Sequence, residues 1–394
     1  MISLKTADNA LKNVYLDVIK NQLDNEVDPF YSKIVKTESD IAGNEIKKMV
    51  TIGISGGIGA GAEDGVLPSV KDSNYAVLTT KLKNLYAQLE ISDKAIRASQ
   101  SESGAFLNLL NAEMDNLIES SKFNLRRMLY GNGSNLLSYT DTNVSEGDTV
   151  FKVNEPYKFM VGMKINVMDS LEENVGNMQN IEILDVDYIN GTITVPTFSA
   201  YDGGYELPLM IYYANSATNE EIVGLNAILD AAAYPKLYGL QRSNNTFLTP
   251  VKNVLEQDGM TFANVLKCID DLKENYNANT DLIVCGHTFR RQYQQVLKNF
   301  AINADIVTME GGYKATTING VPIYANRFMN TYWAYVLDSS TFKLHQLCDW
   351  TWLSNDKGEI LHQKDGYAVQ TATLVKYCDL ICDRPCKNSI IVCR

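Results

Sequence analysis

Residues 45–92 alternate in a way that leaves a chain few options. From Glu45 onward, Met49, Thr51, Gly53 and Ser55 fall on one face of an extended strand and Val50, Ile52 and Ile54 on the other. The pattern dissolves into GGIGAGAEDG (Gly56–Gly65) and Leu67-Pro68-Ser69. It then resumes through Tyr75-Ala76-Val77-Leu78 and on to Leu85, Ala87, Leu89 and Ile91. Two strands flanking a long tip make a hairpin, and a two-stranded hairpin alone is marginal in water because it cannot bury both faces. The segment needs another surface to lie on.

The best helix runs from Gly104 to Tyr130. Phe106, Leu110, Met114, Leu117, Leu125 and Met128 follow steps of three or four, with Ser121 in the one missing place, which makes an apolar stripe. At 1.5 Å per residue it spans roughly 40 Å, enough to serve as the spine of a domain. Gly131 and Gly133, in YGNGS, are placed to end it as C-cap glycines. Before the hairpin, residues 1–38 read as an extended or partly helical arm.

Residues 135–215 change character. Short alternating runs (Thr149–Val153, Met163–Met168, Ile181–Tyr188, Thr192–Pro196, Leu209–Tyr213) are separated by turn clusters, with Asn190-Gly191 a two-residue hairpin signal. This is a small all-β module. It holds twelve acidic residues against Lys152, Lys158 and Lys164, nine net negative charges. Helix and strand alternate afterwards, as in an α/β domain: helices over Asn219–Ala233, Thr261–Tyr276 and Thr288–Phe300, and a buried strand at Asp281–Cys285. Strand signals return at Gly320–Ala325 and Ala334–Leu337. Two long strands, Thr341–Leu353 and Tyr367–Asp383, follow before a final Ile390-Ile391-Val392.

Composition narrows the function. The 394 residues carry a net charge of −12, a globular balance with material for two or three cores. No stretch reaches the roughly 18 apolar residues of a membrane span, and the first twenty residues show no signal-peptide core. Seven cysteines in a chain this long read as reduced thiols. The acidic balance argues against a sequence-reading nucleic-acid module, which shows a basic face to phosphates.

The candidate chemistry is thin. Gly57, Gly59 and Gly61 leave room for a phosphate cradle, but Glu63 and Asp64 follow where a P-loop needs Lys-Ser/Thr, so the stretch reads as a solvent-reaching tip. Cys378, Cys382 and Cys386 recur at steps of four with Cys393 beyond, the basis for a rival reading as a thiol-metal enzyme. Zinc sites favour closer pairs, and Cys378 and Cys382 on one strand would lie about 13 Å apart at 3.3 Å per residue. Packed thiols fit better. His287, His345 and His362 stand outside any nucleophile motif, with His287 placed to start a helix. Arg126-Arg127 and Arg290-Arg291 read as solvated faces or inter-subunit ion pairs. No catalytic residue, metal or cofactor is expected.

The order of segments then carries a resemblance. KLKNLYAQLEISDKAIRAS (Lys81–Ser99), FNLRRMLYGNGS (Phe123–Ser134), EEIVGLNAILDAA with YGLQRSNNTFLTP (Tyr238–Pro250), TDLIVCGHTFRRQYQQVL (Thr280–Leu297), INGVPIYANRFM (Ile318–Met329) and CDRPCKNSIIV (Cys382–Val392) occur in sequence. Together they resemble the major capsid protein family of tailed phages, the Hong Kong 97-type fold, over nearly all the chain except residues 135–215. The resemblance implies an α+β fold with an N-terminal arm (1–44), an extended loop (45–92) and a peripheral domain with its spine helix (93–134). After the inserted acidic β domain (135–215) come an axial domain (216–337), returning peripheral strands (338–383) and a final axial strand (384–394). It implies no enzyme. The chain would form pentamers and hexamers of an icosahedral shell around double-stranded DNA held without sequence specificity. The location would be the virion, after assembly in the host cytoplasm and without membrane contact.

Further expectations follow from the resemblance. With only about 45 residues before the extended loop, the scaffolding protein is expected to be separate; a portal protein is a second partner and a decoration protein a further candidate. The loop tip (Gly57, Gly59, Gly61, Glu63, Asp64, Lys71) would contact a neighbouring subunit, and Lys71 with Asn355 is the candidate pair for a covalent cross-link. The acidic module would project outward, away from packaged DNA. Outside the module only three net negative charges remain over 313 residues, a near-neutral lining. The alternative is the shell of a cellular nanocompartment of the encapsulin kind, which uses the same fold.

Overall fold

The computed structural model describes residues 16–25, 28–53, 56–66, 74–92, 94, 103–140, 144–171, 175–199, 208–256, 261–299, 306–309, 314–355 and 358–393. The arm contains helix α1 (Leu16–Asn25) and a short α2 (Pro29–Lys33). Asp28 caps α2 by accepting the Phe30 amide, and Pro29 occupies the first turn, where its missing N–H removes no bond. Strands β1 (Val35–Thr37) and β2 (Ile41–Ala42) lead to β3 (Glu45–Ile52), β4 (Asn74–Lys81) and β5 (Lys83–Ser92). The spine, α3, runs Ser103–Leu129 and buries Met114, Ile118, Leu125 and Met128.

The inserted module holds β6 (Leu136–Tyr139), β7 (Val150–Lys152), β8 (Lys164–Met168), β9 (Ile181–Glu182), β10 (Asp185–Asp187), β11 (Thr192–Thr194) and β12 (Met210–Tyr213). They form two small sheets, in the orders β10-β11-β7 and β6-β12-β8-β9. A separate apolar core, including Phe151, Phe159, Val167, Ile193 and Ile211, is drawn wholly from this segment. Its first and last strands pair antiparallel, Met210 opposite Tyr139, so the chain enters and leaves at one point.

The rest comprises α4 (Leu225–Leu229), β13 (Lys236–Leu237), β14 (Leu240–Gln241), β15 (Val251–Leu255), α5 (Phe262–Tyr276), β16 (Leu282–Cys285) and α6 (His287–Asn299). There follow β17 (Ile306–Thr308), β18 (Lys314–Ile318), β19 (Val321–Ala325), β20 (Trp333–Leu337), β21 (Phe342–Trp352), β22 (His362–Gln363), β23 (Val369–Cys382) and β24 (Ser389–Cys393). A mixed seven-stranded sheet runs β15-β24-β20-β16-β19-β18-β17. Its strand Leu282-Ile283-Val284-Cys285 is buried on both faces. Ile283 and Cys285 meet Val265, Leu272, Phe289 and Tyr293 of α5 and α6, whereas Leu282 and Val284 face the main core. In a second sheet β23 is central: β21 pairs with it, β1 adds parallel to β21, and β5 runs antiparallel along β23 from Ser92 to Lys83. The returning strands therefore bind the arm and the hairpin's exit to one body.

Four local expectations are corrected. The alternation from Tyr75 to Ile91 is two strands, not one: Leu82 turns in to donate its amide to Asn44 O (2.9 Å), so β4 pairs with β3 while β5 joins β23. The helix expected over Asn219–Ala233 shrinks to Leu225–Leu229, because Asn219 sits at φ 61° and residues 221–223 are drawn into extended contacts with other segments. Asn190-Gly191 is not a two-residue turn: Asp187 pairs with Thr192 across four residues, Gly191 has φ 70°, and the Asp187 carboxylate organises the loop by accepting the Ile189 and Asn190 amides. The run Ile181–Tyr188 likewise divides between the module's two sheets.

Candidate assembly surface

The hairpin solves half of its burial problem within the chain. On one face Ile46, Val50, Ala76 and Leu78 are buried, and Ile46, Val50 and Leu78 join the main core. The register places Met49 opposite Val77 and Thr51 opposite Tyr75 on the other face. There Met49, Tyr75 and Val77 remain 62%, 54% and 44% exposed. Beyond them the tip is open: Ile58 and Val66 are 85% and 98% exposed, and a Cβ on Gly61 would touch nothing within 4 Å.

The paired strands are held along their length. Thr79 donates its amide to Tyr238 O (3.0 Å), Arg384 Nη2 reaches Thr51 O (2.7 Å) and Lys48 pairs with Asp40 (2.8 Å). The Thr80 hydroxyl donates to Asp379 Oδ2 at 2.6 Å, while Asp379 Oδ1 accepts the Val223 and Leu380 amides, both at 2.9 Å. Burial pushes the Asp379 carboxyl up to about 6, against the lowering effect of those donors. Sequence reasoning misses Asp379, though a carboxylate inside the apolar run Tyr377–Cys382 is a visible anomaly.

Two buried polar junctions tie the segments behind the hairpin. Asp28, from the arm, accepts the hydroxyls of Tyr130 at the spine's end and Tyr324 in β19, plus Asn326 Nδ2 at 2.6 Å. Arg127 forms a bidentate pair with Glu221, Nη1 to Oε2 at 2.9 Å and Nη2 to Oε1 at 2.5 Å, with both side chains buried. This corrects the reading of Arg127 as a solvated or inter-subunit charge: its partner is in the same chain, 94 residues on. Gly224 abuts the spine's C-terminus, where a Cβ would collide with the carbonyls of Met128, Leu129 and Gly131. The positive φ expected of a C-cap falls on Gly133 (86°), four residues beyond the helix.

The acidic module docks through cations and packing: Arg127 lies over Tyr213 (5.3 Å) and Tyr157 packs against the main core. Arg327 lies over the rings of Phe123 in the spine (5.3 Å) and Tyr188 in the module (5.8 Å), and donates to Tyr157 O (2.7 Å).

Gly57, Gly59, Gly61, Glu63 and Asp64 lie together on the tip, where Gly65 N bonds Ala62 O (2.9 Å) in a turn and no helix opens. Lys71 lies outside the described residues. Asn355 sits in the exposed turn between β21 and β22, its Oδ1 accepting the Glu359 amide (2.9 Å) and its Nδ2 donating to Glu359 Oε2 (3.0 Å). Cys378, Cys382, Cys386 and Cys393 are buried free thiols; burial pushes Cys378 up to about 12 and raises Cys382 further. Among the described residues no three His, Cys, Asp or Glu side chains are gathered to hold a metal, and no helix is long and apolar enough to cross a membrane. His287 is the first residue of α6, and His345 is buried with Nδ1 2.9 Å from Ser39 O.

By sequence, no family model and no curated protein matches the chain. By structure, the chain is similar to a subunit of the cyanophage A-1(L) capsid asymmetric unit, with a TM-score of 0.53 at 10% identity over 93% of both chains. A chain from Mycobacterium phage Bobi gives 0.45 at 9% identity, covering 100% of this chain and 99% of that one. The SrpI encapsulin of Synechococcus elongatus gives 0.41 at 9%, covering 93% and 88%. The cyanophage match covers nearly the whole of both chains, at an identity that speaks to fold alone. This chain has the α+β fold of tailed-phage capsid proteins, the Hong Kong 97-type fold.

Proposed function

We propose that the chain is the major capsid subunit of a tailed bacteriophage, assembling into pentamers and hexamers of an icosahedral shell that encloses double-stranded DNA. The carrying observation is the hairpin: a two-stranded arm anchored along one face, with Met49, Tyr75 and Val77 exposed along its other face. Contiguous apolar surface held in a fixed direction marks an interaction site. In a shell of this fold, a neighbouring subunit would cover it. Assembly would proceed in the host cytoplasm with a separate scaffolding protein and a portal protein.

The charge distribution supports a container rather than a reader of DNA. Nine net negative charges in the module favour its projection outward, leaving a near-neutral lining. Protease access to the module on intact particles is the expected result; protection until the shell is broken would place it inside. A Lys71–Asn355 cross-link between subunits remains part of this proposal, and only monomer-sized bands on denaturing gels of assembled particles would remove it.

The deciding experiment is electron microscopy of the full chain co-expressed with its scaffold, followed by nucleic-acid analysis of particles from infected cells. Closed shells containing DNA are expected. A monodisperse small oligomer under every condition overturns the shell reading, and shells loaded with an enzyme instead of DNA would favour a nanocompartment.

A further inference from the structure

The inserted module, the end of the spine, α4 and the mixed sheet leave a cavity of about 200 Å³ between them. Trp333 and Tyr335, two residues apart on one face of β20, line it together with Tyr139 and Lys158 of the module. Asn226 of α4 and Tyr234 complete the polar part of the wall. We propose that this cavity is a binding site for a neutral polyhydroxylated ring, a single monosaccharide unit. The inference goes beyond the shell reading and does not depend on it.

The polar groups of the wall are short of partners. The Tyr335 hydroxyl, on a side chain only 2% exposed, makes no hydrogen bond among the described residues. Burial raises its phenol, so it stays protonated and can donate. Asn226 has its backbone N–H on Gly131 O (3.2 Å), but its side-chain oxygen is buried with no donor. The Tyr234 hydroxyl accepts Asn132 Nδ2 at 2.9 Å and keeps its own hydrogen to give. Buried polar groups are normally bonded, so an unpaired phenol and an unpaired amide around one cavity point to a ligand that supplies both kinds of bond. The same wall carries aromatic surface on Tyr130, Phe328 and Trp333.

Other ligand classes fit poorly. A hydrocarbon would leave the Tyr335 hydroxyl and the Asn226 amide buried and unpaired. A charged ligand would find no free counter-charge: Lys158 is paired with Glu155 at 2.6 Å, and Glu155 also accepts the Tyr157 hydroxyl at 2.8 Å. Hydroxyl groups both donate and accept, so a polyol answers phenol and amide alike. The C–H face of a sugar ring packs on aromatic rings, whose faces are electron-rich. The volume equals that of roughly six or seven waters at about 30 Å³ each, room for one sugar unit. Placement between a module and the body that carries it is common for such sites.

Saturation-transfer NMR of the full-length subunit, titrated with the methyl glycosides of glucose, galactose and N-acetylglucosamine, tests the assignment. At least one should bind with a Kd of about 1 mM, the scale that ligand efficiency sets for about thirteen non-hydrogen atoms. Cyclohexanol, a similar ring with one hydroxyl, and glucose 6-phosphate should each bind at least about tenfold more weakly. Tyr335→Phe removes a hydroxyl that has no partner in the chain, so it should keep the melting temperature and weaken binding about fivefold. Asn226→Ala should behave in the same way. Tyr293→Phe, which deletes an unpartnered phenol hydroxyl on α6 outside the cavity, should leave binding unchanged. Three results would each overturn the proposal: no saturable binding of any glycoside below about 50 mM, cyclohexanol binding as tightly as the glycosides, or undiminished binding in both Tyr335→Phe and Asn226→Ala. The cyclohexanol comparison uses the unmodified chain and decides even if neither variant folds.

Discussion

The Tyr324 hydroxyl donates to the Asp28 carboxylate at 2.7 Å across 296 residues of sequence. Tyr130 reaches the same oxygen at 2.8 Å, and the two phenol oxygens lie 2.5 Å apart. A single buried carboxylate thus joins the arm to the spine's end and to the large mixed sheet. It sits where α2 starts, so the bond network also fixes the direction of the chain into β1.

Removing that carboxylate should be costly. Asp28→Ala leaves two buried hydroxyls, the Asn326 amide and the Phe30 N–H without their acceptor, a loss of about 3 kcal/mol. Tyr324→Phe removes one bond and should cost about 1 kcal/mol. Burial raises the Asp28 carboxyl above its ordinary range, so the charge becomes less of a burden as pH falls and this group's contribution to stability grows toward acid. Urea unfolding of the two variants at pH 7.5 and 5.5 checks both sizes; Asp28→Ala should show the weaker rise on acidification.

Gly224→Ala should be far more disruptive than alanine at an open glycine of the tip. Its Cβ would enter the carbonyls of Met128, Leu129 and Gly131, backbone that cannot move without unwinding the spine's last turn. Asn226 N donates to Gly131 O (3.2 Å) in the same contact, so a shift breaks that bond too. A loss of about 3 kcal/mol or insoluble expression is expected. Gly61→Ala, in open space on the tip, should stay within about 0.5 kcal/mol. Paired thermal melts make the comparison.

These junctions explain which parts of the fold are legible in the residue pattern and which are not. Burial along one side of an element leaves a periodic trace, so the spine stripe from Met114 onward, the strand Leu282–Cys285 and the hairpin alternation can be read from the amino acids alone, while the side chains of Phe106 and Leu110 lie outside the described residues. Thr261 is similarly placed to start a helix, and it does cap α5 by accepting the Asn264 amide. Pairings across long separations leave no such trace. Asp28 lies in a segment whose pattern says only that it is an arm, and Glu221 falls within a helical pattern that its buried bond to Arg127 helps to prevent from forming. The break at Leu82 is hidden because alternation continues through it while the pairing partner changes from β3 to β23.

Arg327→Ala should loosen the module's docking without unfolding it, since Arg127 over Tyr213 and the packing of Tyr157 remain. The Arg327 guanidinium bridges Phe123 and Tyr188 at an exposed site, worth about 1 kcal/mol, whereas the module's core is its own. The exposed stretch Ala217–Glu220 lies next to where the chain leaves the module. Cleavage there by a glutamate-specific protease should accelerate roughly fivefold, the equivalent of that energy. The melting of the module measured after cleavage should be unchanged.

Thiol reactivity should divide by burial. Cys285 and Cys378 are buried and pushed up to about 12, so neither offers thiolate at neutral pH. Cys348 is half-buried and reachable from solvent. Brief iodoacetamide treatment of the native chain at pH 7.5 should label Cys348 first. Mass spectrometry showing Cys378 or Cys382 labelled as fast would contradict the burial pattern.

The outward hairpin face separates folding from assembly. Met49 and Val77 are cross-strand partners whose side chains leave the body, so lysine at either position removes little packing from the isolated subunit. Met49→Lys and Val77→Lys should therefore keep urea midpoints within about 0.5 kcal/mol of the unmodified chain. The same charges placed in an interface would have to be desolvated without a partner, at several kcal/mol each, repeated at every subunit contact. Sedimentation of the chain with its scaffold should show loss of the particle peak in both variants. Val50→Lys, on the buried face, should instead destabilise the subunit itself. Assembly undiminished in Met49→Lys and Val77→Lys would mean that this face stays in solvent.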